Sequence, residues 1–339
     1  LATGATNWDR TLANGGGMNS DVAVIVCTHL EERLELLCDA LRSLETQTQL
    51  PDEVVVVVDG NAQLADRVRA LDFDVHVLCM SKNGGLATAR NAGVAACVAD
   101  KVMFLDDDAI AEPHWIEGLA SAMDQVGILG ASGSSEPIWK APRPAWLADE
   151  FMWTLGCSYA GQPTTSAHVR NVYGGCCGLR RKLFTELDGY DLRLGRSATS
   201  AGGGEEAELC LRAHARWPDS HFAFVPSAGI RHTVPADRLS LRYLLKRSFD
   251  EGRMKAAVAG MQPGALSPER SFAAHLPRAL VAEIGHGLMG DVRGFAKAGG
   301  IALMAAAVIA GLTVGQLKLL SAAPDLAEPV DVPQRAEAL

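Results

Sequence analysis

The chain predicts an α/β fold, a sheet covered by helices on both faces with a helical extension at the C-terminal end, and two observations carry the prediction. From Asp21 to Asp108, short apolar runs alternate with segments whose apolar residues recur at three-and-four spacing, which is strand–helix alternation. The runs are apolar without a break, as in Glu53-Val-Val-Val-Val-Val58, and only strands buried on both faces need that.

Composition bounds the function. At 339 residues the chain can bury one large core or two ordinary ones, and 48% hydrophobic with 21% charged residues is the balance of a folded protein. A formal net charge of -9 argues against nonspecific nucleic-acid binding, which needs a basic face. The eight cysteines form no CxxC and no Cys/His ligand spacing, and several lie inside apolar runs; they read as reduced core residues of a cytosolic protein.

Residues 1–20 lack an apolar stretch of secretory length and are expected to be a disordered leader, with Met18 as the natural start. Val22 to Cys27 is the first strand, and Glu31 to Thr46, with Leu34, Leu37, Leu41 and Leu44 on one stripe, the first helix. Glu53 to Val58, Val75 to Leu78 and Val102 to Leu105 are further strands, and Ala62 to Leu71 and Leu86 to Ala99 the helices between them. Ligands of such sheets bind outside the carboxyl ends of the strands. Those ends carry Thr28-His29-Leu30, Asp59-Gly60-Asn61, Asn83-Gly84-Gly85 and Asp106-Asp107-Asp108. No GxGxxG and no GxxxxGK[ST] is present, which removes the dinucleotide and P-loop readings.

What remains is a polar crevice with Asp59, the Asp triplet and Arg90. Asp59 also suits a helix N-cap, and Arg90 a surface ion pair. In an extended backbone Asp106 and Asp108 face one side and Asp107 the other, so the first two either share a divalent cation or form a solvated acidic turn.

Val24-Ile-Val-Cys-Thr28, Val57-Val-Asp59-Gly60, Asn83-Gly-Gly-Leu-Ala-Thr-Ala-Arg90-Asn91-Ala-Gly93 and Phe104-Leu-Asp106-Asp-Asp108 resemble, in order and spacing, the nucleotide-binding half of family 2 glycosyltransferases. The resemblance implies the GT-A fold, a Rossmann-like mixed sheet flanked by helices, over residues 21–235. It implies that Thr28 and Asp59 lie at the nucleoside, that Asn83, Gly85 and Arg90 complete its pocket, and that Asp106 and Asp108 hold Mn2+ or Mg2+ on the diphosphate.

Beyond the triplet, Pro113 to Val126 is expected to be a helix and Ile128 to Ala131 a strand. The stretch from Ser132 to Gln162, with Pro137, Pro142, Pro144, Trp139, Trp146 and Trp153, reads as an irregular loop that either faces the acceptor or covers the core. Gly174-Gly175-Cys-Cys-Gly178-Leu-Arg180-Arg181, followed by Gly189-Tyr190-Asp191, resembles the floor of the family's donor-sugar and acceptor site, with Gly175 in that floor. Glu205-Glu206-Ala-Glu208 opens a helix, where acidic residues suit the dipole. The resemblance places Glu206 as catalytic base, Glu instead of the commoner Asp, with Glu205 a competitor. After the strand Phe222 to Val225, His232 is either structural or, by resemblance, completes the metal or diphosphate site.

Residues 236–300 read as a helical extension in which Leu241 to Ala259 carries Arg242, Lys246, Arg247, Arg253 and Lys255. Such a helix suits diphosphate neutralisation, through Arg247 among others, or an anionic membrane surface. The H-x-V-P-x-x-R run, with an L-x-x-R and a later E-G-R behind it, resembles family members acting on glycolipids and polysaccharides. Residues 301–317 are seventeen uncharged residues between Lys297 and Lys318, a helix over 301–318 that spans a membrane, docks on one or packs in the protein. Arg278, Arg293 and Lys297 keep the catalytic domain cytoplasmic, at the cytoplasmic face of the inner membrane. Residues 319–339 read as a disordered tail.

The expected function is inverting transfer from a nucleotide-sugar donor, UDP-linked, to a hydroxyl of a glycan or lipid-linked acceptor. A nucleotidyltransferase on a related sheet and a catalytically silent nucleotide-sugar-binding protein are the alternatives.

Overall fold

In chain order the strands are β1 (Val22–Thr28), β2 (Glu53–Val58), β3 (His76–Cys79), β4 (Lys101–Asp106), β5 (Ala109–Ala111), β6 (Ile128–Trp139), β7 (Ala167–Val169), β8 (Cys176–Arg180) and β9 (His221–Val234). The helices are α1 (Leu34–Glu45), α2 (Ala62–Arg69), α3 (Leu86–Ala95), α4 (Trp115–Met123), α5 (Lys182–Glu186), α6 (Glu205–Arg216), α7 (Leu241–Ala259), α8 (Ser267–Leu288) and α9 (Arg293–Ser321). They come from a computed structural model that describes residues 21–192, 194, 203–261 and 264–321. The expected leader, and the expected tail from residue 322 on, lie outside the described residues; residues 319–321 belong to α9.

Among the described residues the strands form one mixed sheet in the order β3-β2-β1-β4-β8-β6-β9-β5, with β7 also on β9. The first four strands in that order run parallel, as their unbroken apolar character predicts. β8 then pairs antiparallel with β4 and β6. The pleat sorts β1 between two cores: Val22, Val24 and Val26 pack with Leu37 and Leu41 of α1 and with Trp115 of α4, while Ala23 and Ile25 pack with Ala87 and Val94 of α3 and Leu209 of α6. Gly93 lets α3 press onto β1, since a Cβ there would stand 2.6 Å from Ile25 Cγ2. Arg90, one turn earlier on the same face, is thereby driven under the sheet's carboxyl edge.

Three differences from the sequence reading change the site. β6 does not stop at Ala131 but runs to Trp139, pairing Ser135 to Trp139 with Ile230 to Val234. Pro137 is tolerated because that half of β6 pairs with β9 on one side only among the described strands. β9 likewise continues past Pro226, so His232 lies inside a strand, not after one. The glycine cluster contains β8, and Gly178 has no side chain because a Cβ would stand 2.7 Å from Met123 Cε.

The C-terminal helices build a third core. Leu147, Phe151, Met152 and Leu155, around a 3-10 turn over Asp149–Leu155, pack with Leu244 of α7 and with Ile301 and Met304 of α9. α9 begins at Arg293, not at residue 301, and Gly299-Gly300 does not break it. α7 and α9 cross backbone to backbone: a Cβ on Gly252 would stand 2.0 Å from Val308 O, and one on Gly311 2.0 Å from Phe249 O. All eight cysteines are free, as composition predicts, and burial pushes the thiols of Cys27, Cys97, Cys157 and Cys176 up to about 12.

Candidate active site

β4 ends at Asp106, and the chain turns through Asp107 and Asp108 into β5. β5 is pinned to β9 with Ala109 opposite His232. The turn thus brings the triplet to β9: His232 Nδ1 lies 3.2 Å from Asp108 Oδ1, and Thr233 N donates to Asp108 O at 2.8 Å. Asp106, Asp108 and His232 each offer a ligand atom, all within 4.8 Å of one another. Asp107 pairs instead with Arg33, Oδ1 to Nη1 at 2.5 Å. The division between Asp106/Asp108 and Asp107 is the expected one, but its cause differs. Residues 107–108 form a turn, so the strand pairing of His232, not strand alternation, gathers the cluster.

Burial alone would raise the pKa of Asp108, but the hydrogen bond and charge of His232, with Arg33 and Arg238, hold it well below the usual carboxylate range. Burial pushes the Asp107 pKa up, against the opposing pull of Arg33. Asp108 therefore stays anionic. Two carboxylate oxygens and an imidazole nitrogen are a donor set that can hold a divalent cation. Room is kept by Gly175, whose φ is +76° and whose added Cβ would stand 2.3 Å from Asp106 Oδ2. Gly175→Ala is expected to cost about 1–2 kcal/mol through the left-handed backbone. It also displaces Asp106, so thermal unfolding should show the modest loss and a Mn2+ titration a larger one.

The second acidic group comes from α6. Gly204, at φ +97°, turns the chain into the helix with its backbone against Met254 of α7. Glu205 and Glu206 follow in the first turn, where the dipole favours them. Their side chains are 3% and 13% exposed, so Glu206 is the more open to the cavity. Arg90 Nη1 donates to Glu206 Oε1 at 2.7 Å and lies 3.5 Å from Glu205 Oε1, and its Nη2 reaches Asp106 Oδ1 at 3.3 Å. Its guanidinium also stands over the rings of Phe104 and Tyr190. Burial works against the charge of Arg90, but Glu206 and Asp106 hold its pKa well above the ordinary value. Arg90 is thus neither a surface ion pair nor solvated: it ties the two acidic groups together. Gly174 and Gly175 fill the space between them, since a Cβ on Gly174 would stand 1.9 Å from Glu206 Oε1.

Thr28, Asp59, Asn83 and Gly85 form one loop cluster at the same sheet edge. Asp59 N donates to Thr28 O at 2.8 Å; Asp59 Oδ1 accepts from Gly84 N at 2.8 Å and Oδ2 from Gly85 N at 2.9 Å. Asn83 Oδ1 also accepts from Gly85 N, at 3.2 Å. Asp59 is no N-cap: Asn61 caps α2 by accepting from Leu64 N.

A cavity of about 420 Å³ joins the two acidic groups to the C-terminal helices, whereas Thr28, Asp59, Asn83 and Gly85 do not line it. Asp106, Gly175, Glu206 and His232 line it, as does Arg247, which pairs with Glu251 at 2.9 Å and lies over the Trp153 ring. Sequence reasoning left out Arg33 and Arg238 as partners of the triplet, and Arg170 and Glu269 altogether, while Glu251 entered only as the first residue of the E-G-R run. Arg33 stands in the loop after β1 and Arg238 in the H-x-V-P-x-x-R run, so a search for cations near the triplet could have found both. The pairing of Arg170 with Glu269 spans 99 positions and leaves no local signal.

A mixed sheet of this order with an acidic turn closing its fourth strand is the GT-A fold, shared by enzymes that use nucleotide-linked sugars. Among solved structures the chain is similar to a mannosyltransferase from Pyrobaculum calidifontis in complex with GDP-Man and Mn2+, with TM-score 0.55 and 16% identity over 91% of this chain and 92% of that one. It is also similar to GalNAc-T7 with UDP, GalNAc and Mn2+, with TM-score 0.51 and 16% identity over 76% of this chain and 54% of that one. Residues 23–188 match the family model described as Glycosyl transferase family 2. The glucosyl-dolichyl phosphate glucuronosyltransferase of Haloferax volcanii is 32% identical over 256 residues, 74% of this chain and 81% of the relative. The succinoglycan biosynthesis protein ExoM of Rhizobium meliloti is 28% identical over 241 residues, 67% of this chain and 72% of the relative. The chain belongs to glycosyltransferase family 2 and is a glycosyltransferase.

Proposed function

We propose that the chain moves a sugar, with inversion, from a UDP-linked donor to a hydroxyl of a glycan or lipid-linked acceptor. The observation that carries this is the pair of carboxylates, Asp106 and Glu206, set against consecutive glycines on one cavity and bridged by Arg90. One displacement needs both: a base for the attacking hydroxyl and a place for the leaving diphosphate.

Glu206 takes the proton as the acceptor oxygen bonds to the anomeric carbon and the bond to the nucleoside diphosphate breaks. Glu205, more deeply buried, serves to hold Arg90. Asp106, Asp108 and His232 would hold Mn2+ or Mg2+, which when bound neutralises charge on the leaving group. Thr28, Asp59, Asn83 and Gly85 face the nucleoside, Gly175 lets the donor sugar approach the backbone, and Arg247 faces an anionic group of substrate.

The acceptor reading is supported by the Haloferax relative, whose name specifies a dolichyl phosphate-linked substrate. α9 is the one described helix long and apolar enough to cross a membrane. Its backbone contact with α7, which carries Arg242, Lys246, Arg247 and Arg253, favours docking on a membrane surface over crossing it, because those charges cannot enter hydrocarbon. The cytoplasmic face, with its anionic lipids, is the surface we assign.

The test is incubation with Mn2+ and a panel of UDP-, GDP- and dTDP-sugars. UDP release from one UDP-sugar is the expected result. Release of GDP alone overturns the donor assignment, and nucleotide binding without turnover on any acceptor supports the silent-binder alternative.

A further inference from the structure

The cavity continues past the catalytic carboxylates. Beyond Glu206 and His232 it passes between the 3-10 turn Asp149–Leu155 and the C-terminal helices, where Phe151, Trp153, Phe272, Leu276, Val308 and Ile309 line it. All six are apolar. Ile309 both lines the cavity and is 64% exposed, so this arm opens on the outward face of α9. That face and its neighbour α8 present further exposed apolar residues, among them Leu303, Leu317, Val281 and Leu288.

A chain of charges lines the same cavity. Arg247 pairs with Glu251 at 2.9 Å, Glu251 with Lys255 at 3.2 Å, Lys255 with Glu269 at 2.8 Å and Glu269 with Arg170 at 2.8 Å. Three cations meet two carboxylates, a surplus of one positive charge, and all five residues line the cavity. Burial opposes ionisation of Glu251, but Lys255 and Arg247 hold its pKa down at about 2, so the carboxylates remain anionic and the surplus persists at neutral pH. Arg247 reaches the turn that leads into the helix carrying Glu206: its Nη2 would lie 3.9 Å from a Cβ on Gly203, two residues before Glu205.

An acceptor that is only a sugar has nothing to place in an apolar arm, whereas a hydrocarbon chain gains about 0.8 kcal/mol for each methylene removed from water. We propose, resting on the glycosyltransferase reading above, that the acceptor is an amphiphile in which a sugar is joined through a phosphate to a long hydrocarbon chain. The sugar hydroxyl lies at Glu206, the phosphate at Arg247, and the chain runs along the apolar arm to leave at Ile309. The donor diphosphate and the acceptor phosphate share one chemistry, and the experiment separates them.

The full-length protein is titrated calorimetrically, below the micelle concentration of the ligand, with farnesyl phosphate, farnesol and inorganic phosphate, and separately with UDP and Mn2+. Farnesyl phosphate is expected to bind at least 100-fold more tightly than inorganic phosphate and at least 10-fold more tightly than farnesol. Ala305→Phe, which fills the arm from α9, and Ile309→Glu, which places a charge at its exposed mouth and leaves the core untouched, should each weaken farnesyl phosphate at least 10-fold with UDP–Mn2+ binding unchanged. Arg247→Ala should weaken farnesyl phosphate and leave farnesol unaffected. Farnesyl phosphate binding no tighter than inorganic phosphate, or undiminished in Ile309→Glu, overturns the channel. Loss of UDP rather than farnesyl phosphate binding in Arg247→Ala reassigns that residue to the donor and overturns the phosphate placement. Wild-type protein that binds farnesyl phosphate but not UDP supports the channel and overturns the donor reading alone.

Discussion

Glu206→Gln is expected to lower transfer by about 10²–10⁴-fold, the usual worth of a positioned general base, while nucleotide and Mn2+ binding survive. The substitution keeps the shape of the side chain and an oxygen that can accept from Arg90, so the 2.7 Å contact has a replacement. It removes only the capacity to take a proton. Arg90 retains Asp106 at 3.3 Å and Glu205 at 3.5 Å and so keeps its charge and position. Glu205→Gln makes the informative comparison. That carboxylate is 3% exposed, and its loss should appear mainly as a lowered unfolding temperature. Steady-state release of UDP, with donor KM measured separately from kcat, distinguishes the two variants. Near-native kcat in Glu206→Gln rejects it as the base.

Asp108→Ala should weaken Mn2+-dependent UDP binding by more than about 100-fold, because losing an outer partner of a metal ligand already costs 10–100-fold. It removes one of three clustered ligand groups and leaves His232 without the carboxylate 3.2 Å away that orients its ring. Asp107→Ala should keep Mn2+-dependent binding and lose stability instead, about 1–3 kcal/mol, because Arg33 is left partly buried with only Asp108, 3.2 Å away. Calorimetric titration of UDP with and without Mn2+, alongside thermal unfolding, reads both effects. If Asp107→Ala loses the Mn2+-dependent binding and Asp108→Ala keeps it, the assignment of ligands within the triplet is wrong.

The strands that could be read from the chain are those whose neighbours cover both faces. β1, β2 and β4 declare themselves by unbroken apolar runs, with ends found to within a residue. β5 and β7, three residues each, owe their existence to pairing with β9 and carry no periodicity of their own. The outer halves of β6 and β9 were hidden by Pro137 and by Pro226 with Gly229, residues that end strands unless an edge or a bulge accommodates them. The site divides in the same way. Asp106, Asp108, Glu206 and His232 lie in short motifs and were legible through them. The bridging position of Arg90 was not, because its contact with Glu206 spans 116 positions. The start of α9 was misplaced because the sequence reading followed the uncharged run 301–317, whereas the helix begins at Arg293 and passes through Gly300, where a Cβ would stand 2.0 Å from Trp146 O.

The crossing of α7 and α9 on Gly252 and Gly311 has a mechanical consequence. With no layer of side chains between the two backbones, neither helix can slide or roll without the other, and the pair acts as a single strut. One end of that strut rests on the proposed lipid surface through the apolar residues of α9, and the other carries Arg247 to the turn that leads into Glu206. On the membrane-docked reading proposed above, the height of α9 over the lipid surface sets the height of Glu206, so acceptor chain length and turnover should be linked.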